Sequence, residues 1–559
     1  MTAETALPEN AAEFNKGIRK WAPVVILSLA LMIIVLDTTV LNVSLKTITQ
    51  DLGTDLKGIQ WVITAYSLTL AALTITGGRL GDLYGRKRMF MVGTVIFAIG
   101  SYITSISHSV GMMVIGESII EGIGAAMMMP ATASLLVANY RGRDRALAFG
   151  IWGGIAAAAA GLGPILGGWL TTNYSWRWAF RINIVIAAVL LLGSLLIAES
   201  EDKEEKHELD VIGVLLSAGG LLSIVFGVIQ SAQFGWWRAK QPYEIFSHGV
   251  NAFGLSVAPL SFALGVLLLI WFGWWQIQRE KHKRTPLVSM KLFTNRQFTA
   301  GATVTTILSL GQVGLIFAIP VFLQSVQNLD ALHTGFALLP MSAALLIAAP
   351  VSAIISKYFL PKRIVQVGLA INVLATVVIR QSLNVDATAM TLAPGLILFG
   401  IGMGLVMAQV SNLTLSAVSV DEAGEASGVN NTFRQIGSSF GSAIVGATLF
   451  MTLATSLSTG ITKSPVIPEP LKPQLSQAFS SRASEVEFSG TKKAEGSFAS
   501  KISPEVQAEL TLITHQASAD GSKVAISLTG LFTLLAFIAA AKLPGTRKIE
   551  RNESVAAGH

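Results

Sequence analysis

Apolar runs of about twenty residues recur along this chain, separated by short polar connections. A hydrocarbon core about 30 Å thick needs ~20 residues of helix at 1.5 Å rise. Runs that meet this begin near Pro23, Gln60, Met89, Met112, Ala146, Phe180, Val211, Leu255, Phe298, Thr334, Ile364, Leu392, Gly428 and Val524. The pattern predicts an all-α integral membrane protein with about fourteen transmembrane helices. The first twenty residues are polar, and the first apolar run is too long for a signal-peptide core, so it reads as a span that stays.

The connections set the orientation. Arg79, Arg86, Lys87 and Arg88 follow span 2, Arg141, Arg143 and Arg145 follow span 4, and Arg279, Lys281, Lys283, Arg284, Lys291 and Arg296 follow span 8. The opposite face holds fewer positives, among them Lys46, Lys57, Arg238 and Lys240. The positive-inside rule then predicts both termini in the cytoplasm. The expected organisation is a cytoplasmic tail (1–22), a six-helix bundle (23–198), an acidic linker (199–210), an inserted helix pair (211–278) and a basic linker (279–297). A second six-helix bundle (298–545) follows, with a long external loop (456–522) that reads either as a helical hairpin or as disordered, and then a cytoplasmic tail (546–559).

Composition strengthens the membrane reading. Charged residues make up 13% of the chain and hydrophobic ones 52%, with a mean hydropathy of +0.60, against roughly 25% charged in soluble proteins. The net charge of +7 sits in short loops between apolar runs, so it reads as a topology signal and not as a nucleic-acid footprint. The absence of cysteine excludes disulfides, thiolate metal sites and cysteine nucleophiles. With no metal-ligand cluster, nucleotide-binding loop or nucleophile constellation in the sequence, neither an enzyme nor an ATP-driven pump is expected.

The segment Gly78-Arg-Leu-Gly-Asp-Leu-Tyr-Gly-Arg-Lys-Arg88 joins spans 2 and 3, with glycines for a tight turn and Asp82 set among cations. A degenerate copy after span 10 keeps Lys357, Lys362 and Arg363, as two related halves would. Span 5 carries Gly150, Gly163, Pro164, Gly167 and Gly168 beside the run Ala156–Ala160, a seam of small residues for close helix packing. Span 1 contains Leu36-Asp-Thr-Thr-Val-Leu-Asn-Val43. Together these resemble the signature loop, the antiporter motif and the first-span motif of the fourteen-span drug:proton antiporters of the major facilitator superfamily. Trp61-Val-Ile-Thr-Ala-Tyr66, Ser175-Trp-Arg-Trp-Ala-Phe180, Gly424-Glu-Ala-Ser-Gly428 and Thr432-Phe-Arg-Gln-Ile-Gly437 fit the same family. Lys46 and Ala159 stand where proline and glycine are usual, and Ser118 and Glu121 where arginine and glutamine are usual.

Charge inside a span costs roughly 2.5–3.5 kcal/mol on insertion scales, so its default reading is functional. Asp37 on span 1 and Glu117 and Glu121 on span 4 fall at similar depth, with Arg181 near the outer end of span 6. Acids withdrawn from water beside one another take up and release protons near neutral pH, so these four form the expected coupling or substrate site. A static bridge between Arg181 and either glutamate is the structural alternative. Gly78, Asp82, Gly85, Arg86 and Arg141 form the expected conformational gate, with Asp82 reaching the positive end of span 13 and the basic end of span 4. Gln409 reads as a helix-to-helix hydrogen-bonding group or a cavity residue, and Arg434 as a cation that snorkels to the inner surface.

The resemblance implies the major facilitator fold, two six-helix bundles plus two inserted helices, exporting lipophilic and cationic drugs in exchange for protons. It implies no cofactor beyond the proton gradient and no nucleic-acid partner. The partners expected are a small-molecule substrate, protons and the lipid bilayer, with a functional monomer in the plasma membrane. Export of an endogenous metabolite or lipid, or a transport-inactive receptor or scaffold, are the alternatives.

Overall fold

A computed structural model describes residues 9–54, 56–198, 209–238, 243–245, 248–250, 254–282, 284–329, 331–419, 422–481 and 503–544. Most of the expected acidic linker, the terminal tail and the middle of the external loop lie outside them. The long helices are α1 (Glu9–Asp51), α2 (Leu56–Tyr84), α3 (Arg86–Ser105), α4 (Val110–Asn139), α5 (Gly142–Asn173), α6 (Arg177–Gly193) and α7 (Val211–Phe234). They continue as α8 (Val257–Lys281), α9 (Arg296–Ser325), α10 (Ala331–Ile355), α11 (Pro361–Ser382), α12 (Ala389–Leu415), α13 (Ala423–Lys463) and α14 (Pro504–Ala539).

Among the described residues, 12 helices are long and apolar enough to cross a membrane. The expected count of fourteen is therefore not reached by this measure. The two outside the set are α2 and α5, which have 29 and 32 residues and so ample length. Each also holds an apolar stretch without charge, residues 59–76 in α2 and 146–163 in α5. The all-α expectation also needs amending. A short antiparallel hairpin, β1 (Tyr243–Ile245) with β2 (His248–Val250), lies between α7 and α8, pairing Tyr243 with Val250.

Helices α1–α6 pack as one bundle and α9–α14 as a second, while α7 and α8 pack on each other. The bundles meet where α5 packs on α10 and α12, and where α2 and α4 pack on α13. Helix α7 lies against both α2 and α13, so the inserted pair bridges the two halves at the edge of their seam. At its root Asp210 caps α7 through Gly213 N (3.0 Å) and accepts from Trp275 Nε1 (3.0 Å) and Gln276 Nε2 (2.9 Å) on α8. Arg279 completes this knot at 3.5 Å.

The connection between α13 and α14, expected as an external loop, is not free at its ends. Leu453, Leu457 and Ile461 repeat at helical spacing and meet Val506, Leu510, Ile513 and Ala517 in a separate buried cluster. That shared stripe carries α13 and α14 past the membrane. The 41 residues of α13 span ~62 Å, about twice the hydrocarbon thickness.

Candidate functional site

Helices α3 and α4 touch backbone to backbone. A Cβ on Gly100 would sit 2.5 Å from Glu121 N and 2.6 Å from Gly116 O, so only glycine permits this approach. The approach lets Ser101 Oγ on α3 donate to Glu121 Oε1 at 2.7 Å. Within α4 the stretch Val114–Glu121 is π-helical. Such wide turns are rare and gather at functional sites, and this one holds both Glu117 and Glu121. Ser118, at the position where the family resemblance leads one to expect arginine, donates to Val62 O on α2 (2.7 Å).

Asp37 on α1 meets these two glutamates inside the first bundle. Carboxyl oxygens of Asp37, Glu117 and Glu121 all lie within 4.8 Å of one another, and the residues are 4%, 1% and 0% exposed. Asn183 on α6, which the sequence reading did not single out, ties the group together. Its Nδ2 lies 3.0 Å from Asp37 Oδ1 and 3.3 Å from Glu121 Oε1. One oxygen of each acid and the buried Tyr66 hydroxyl remain without a partner. Three negative charges at this spacing and depth are untenable without protons or a cation.

The expected cation is elsewhere. Arg181 is exposed, with its guanidinium 5.3 Å from the ring centre of Trp178. Two residues further along the helix, Asn183 points inward, so the amide takes the place the arginine was expected to fill. A lone asparagine in the apolar run Ile182–Val189 was the signal available in the sequence.

A second site lies at the end of the seam where α2 turns into α3 and α13 begins. Gly85, with φ of 98°, makes the turn from α2 to α3 that no L side chain takes easily. The turn returns Arg86, 3% exposed, onto Asp82 with Nε and Nη2 at 3.0 and 2.9 Å from Oδ1. The other oxygen of Asp82 accepts from Glu425 N at the start of α13 (2.7 Å). Gly78 permits this crossing, because a Cβ there would lie 2.5 Å from Gly424 O. Glu425 in turn faces Arg79 at 4.0 Å and accepts from Ser289 N (2.6 Å) in the linker after α8. Arg141 is exposed and does not join this group among the described residues.

The small residues of α5 divide between two partners. A Cβ on Gly150 would lie 2.8 Å from Ala349 O on α10, and Gly168 faces Leu332 at 3.6 Å, so both sit on the bundle seam. Gly163 and Gly167 face Thr39 and Val40 on α1. The side chain of Pro164 is not among those described. Gln409 donates to Ser352 O (3.1 Å), a helix-to-helix bond between α12 and α10. Outside the membrane, Trp176 Nε1 donates to Asp51 (3.0 Å) and Arg177 pairs with the same oxygen. The indole hydrogen bond first, and the guanidinium beside it, hold the Asp51 carboxyl below its ordinary value.

Arg434, expected to snorkel, is half-buried. It faces a cavity between the bundles that Phe149, Trp152, Thr305, Asn430 and Asn431 also line.

Comparison with known proteins agrees with this architecture. The chain is 28% identical over 429 residues to the tetracenomycin C resistance and export protein of Streptomyces glaucescens, covering 77% of this chain and 76% of that one. It is 28% identical over 433 residues to the multidrug efflux pump LfrA of Mycolicibacterium smegmatis, covering 77% and 80%. The crystal structure of the human organic anion transporter MFSD10 superposes with a TM-score of 0.55 at 12% identity, over 93% of this chain and 99% of that one, a likeness of fold. The sequence profile of the Major Facilitator Superfamily matches residues 27–442, and the chain belongs to that family of membrane transporters.

Proposed function

We propose that this protein is a proton-coupled antiporter that exports lipophilic small molecules across the plasma membrane. The observation that carries the reading is the enclosed group Asp37, Glu117 and Glu121, three acids with no cation beside them among the described residues. An unpaired acid triad at membrane depth has to exchange protons with one side or the other as the bundles rock. Relatives named for antibiotic resistance and multidrug efflux support the direction and the cargo class. The expectation of cationic cargo came from the family resemblance, and none of the three acids lines the cavity around Arg434.

The remaining parts of the proposal are a monomer without cofactor, α2 and α5 as the thirteenth and fourteenth spans, and both termini in the cytoplasm. The gate residues Gly78, Asp82, Gly85 and Arg86 close the inner side by docking on α13. The packing residues Gly150, Gly163, Pro164, Gly167 and Gly168 let α5 slide between α1 and α10. A sodium-driven exchanger is the second reading, because oxygens within 4.8 Å of one another also suit a small cation.

Everted vesicles carrying the protein distinguish these readings, with dye uptake followed under an imposed proton gradient, an imposed sodium gradient and a protonophore. The proposal expects uptake with the proton gradient that collapses on adding the protonophore. Uptake driven by sodium alone supports the second reading, and no driven uptake at all supports a receptor or scaffold.

A further inference from the structure

We propose that the cargo is an amphipathic organic anion, an aromatic body bearing a carboxylate or sulfonate, held between the bundles with its charge on Arg434. This rests on the exporter reading and names its substrate class. Arg434 lies nine residues beyond Glu425 on α13, ~13.5 Å along the helix, out of reach of the gate carboxylates. A guanidinium half withdrawn from water between the bundles gains from a counter-charge. The one bond described for it runs from Nη2 to Met129 Sδ at 3.3 Å, a weak acceptor.

The cavity around it offers neutral acceptors, among them the unpartnered Asn430 Oδ1, but no acid. Its walls come from both bundles, with Ala133, Phe149 and Trp152 on one side and Thr305, Ser411 and Arg434 on the other, and no aspartate or glutamate is among the lining residues. Trp152 Nε1 is buried there without a partner. The Arg434 and Trp152 donors, beside the edge-to-face rings of Phe149 and Trp152, match an aromatic guest carrying an acid group. The guanidinium fork fits a carboxylate or sulfonate in two parallel bonds. A cationic guest would face the same guanidinium at low dielectric and be repelled. In this conformation the cavity is drawn nearly shut, ≈ 20 Å³ or about one water. The cargo therefore enters as the bundles part.

The test uses the purified full chain in lipid nanodiscs, without any gradient, and three probes of one shape: naphthalene-1-sulfonate, 1-naphthyltrimethylammonium and 1-naphthalenemethanol. The sulfonate is expected to bind about tenfold or more tightly than the ammonium probe. Arg434→Met should remove that preference and leave affinity for the neutral alcohol within about twofold, which also shows that the variant is folded. Arg434→Lys, which keeps charge but not the fork, should fall between. Ammonium binding as tight as sulfonate, or sulfonate affinity unchanged in Arg434→Met, overturns the assignment. The exporter reading is separable from it. If sulfonate binding follows Arg434 yet a pH gradient moves none of it in vesicles, proton coupling fails and the cargo class stands. If the gradient moves only the ammonium probe, the cargo class fails and coupling stands.

Discussion

Two buried polar sites in this transporter carry opposite charge and sit in different kinds of place. The acid triad of Asp37, Glu117 and Glu121 is enclosed within one bundle, held by Asn183 and Ser101. The cavity around Arg434 lies between bundles and is lined without an acid. A site inside one rigid body changes little in shape as the bundles rock, which suits an ion as small as a proton. A site shared by two bodies opens and closes with them, which suits a bulky guest. On the proposed roles, the driving ion and the cargo do not compete for the same side chains, and coupling would run through the conformational change.

The sharpest break in this comparison is loss of the triad. Asp37→Asn and Glu121→Gln should each lower gradient-driven transport by at least about tenfold in vesicles, while probe binding at the cavity stays close to wild type. Glu117→Gln should behave alike, because Arg181 lies outside on Trp178 and gives Glu117 no separate role. Adding Arg181→Gln should neither rescue nor worsen it. A milder Glu117 variant that Arg181→Gln restores would revive the ion-pair reading.

The inner gate comes next in expected effect. Asp82→Asn removes the charge that holds Arg86 and Glu425 N together, so the inner side should open more often by roughly 1–3 kcal/mol of lost bonding. The chain has no cysteine, so single cysteines near Ser427 report directly, and their labelling from the cytoplasmic side should rise several-fold. Unchanged labelling would show that the glycine crossing at Gly78 and Gly424 closes the seam alone. Replacing Asn183 by alanine should have a smaller effect, a roughly three- to tenfold fall in coupled transport from one lost charge-assisted bond, read in the same vesicles.

The smallest effect is expected outside the membrane. Asp51 holds α1 to Trp176 and Arg177, and its carboxyl is held below the ordinary value. Its stabilising effect is therefore present above the unfolded aspartate value near 4 and is lost as pH falls through the lower folded value. Asp51→Asn should lower Tm by a few degrees at neutral pH, with the gap to wild type closing in acid. An equal gap at every pH would make the contact one of packing and not of charge.

How much of this was legible beforehand follows from the physics of each part. Helix placement, the division into two bundles and the meeting of Asp37 with Glu117 and Glu121 follow from span length and depth, which a sequence displays directly. Rotation about each helix axis does not show in that count. Arg181 and Asn183 lie two residues apart on α6 and face opposite ways, and only packing against Ser101 and Asp37 decides which turns inward. The same blindness hid Arg434, whose position near a membrane surface fitted snorkelling until α4, α5 and α9 closed around it. The external continuation of α13 and α14 was half visible, since the stripe Leu453, Leu457 and Ile461 repeats correctly but its partner stripe starts more than forty residues away, at Val506.

The central claim is that the triad carries the driving proton, and one measurement meets it head on. Purified protein in liposomes receives an imposed pH gradient, and uptake of naphthalene-1-sulfonate is compared between wild type and the triple variant Asp37→Asn, Glu117→Gln, Glu121→Gln. The expected result is gradient-driven accumulation by wild type and only downhill equilibration by the variant, with probe affinity unchanged in both. Full gradient-driven accumulation by the triple variant would contradict the account and place the coupling site elsewhere in the chain.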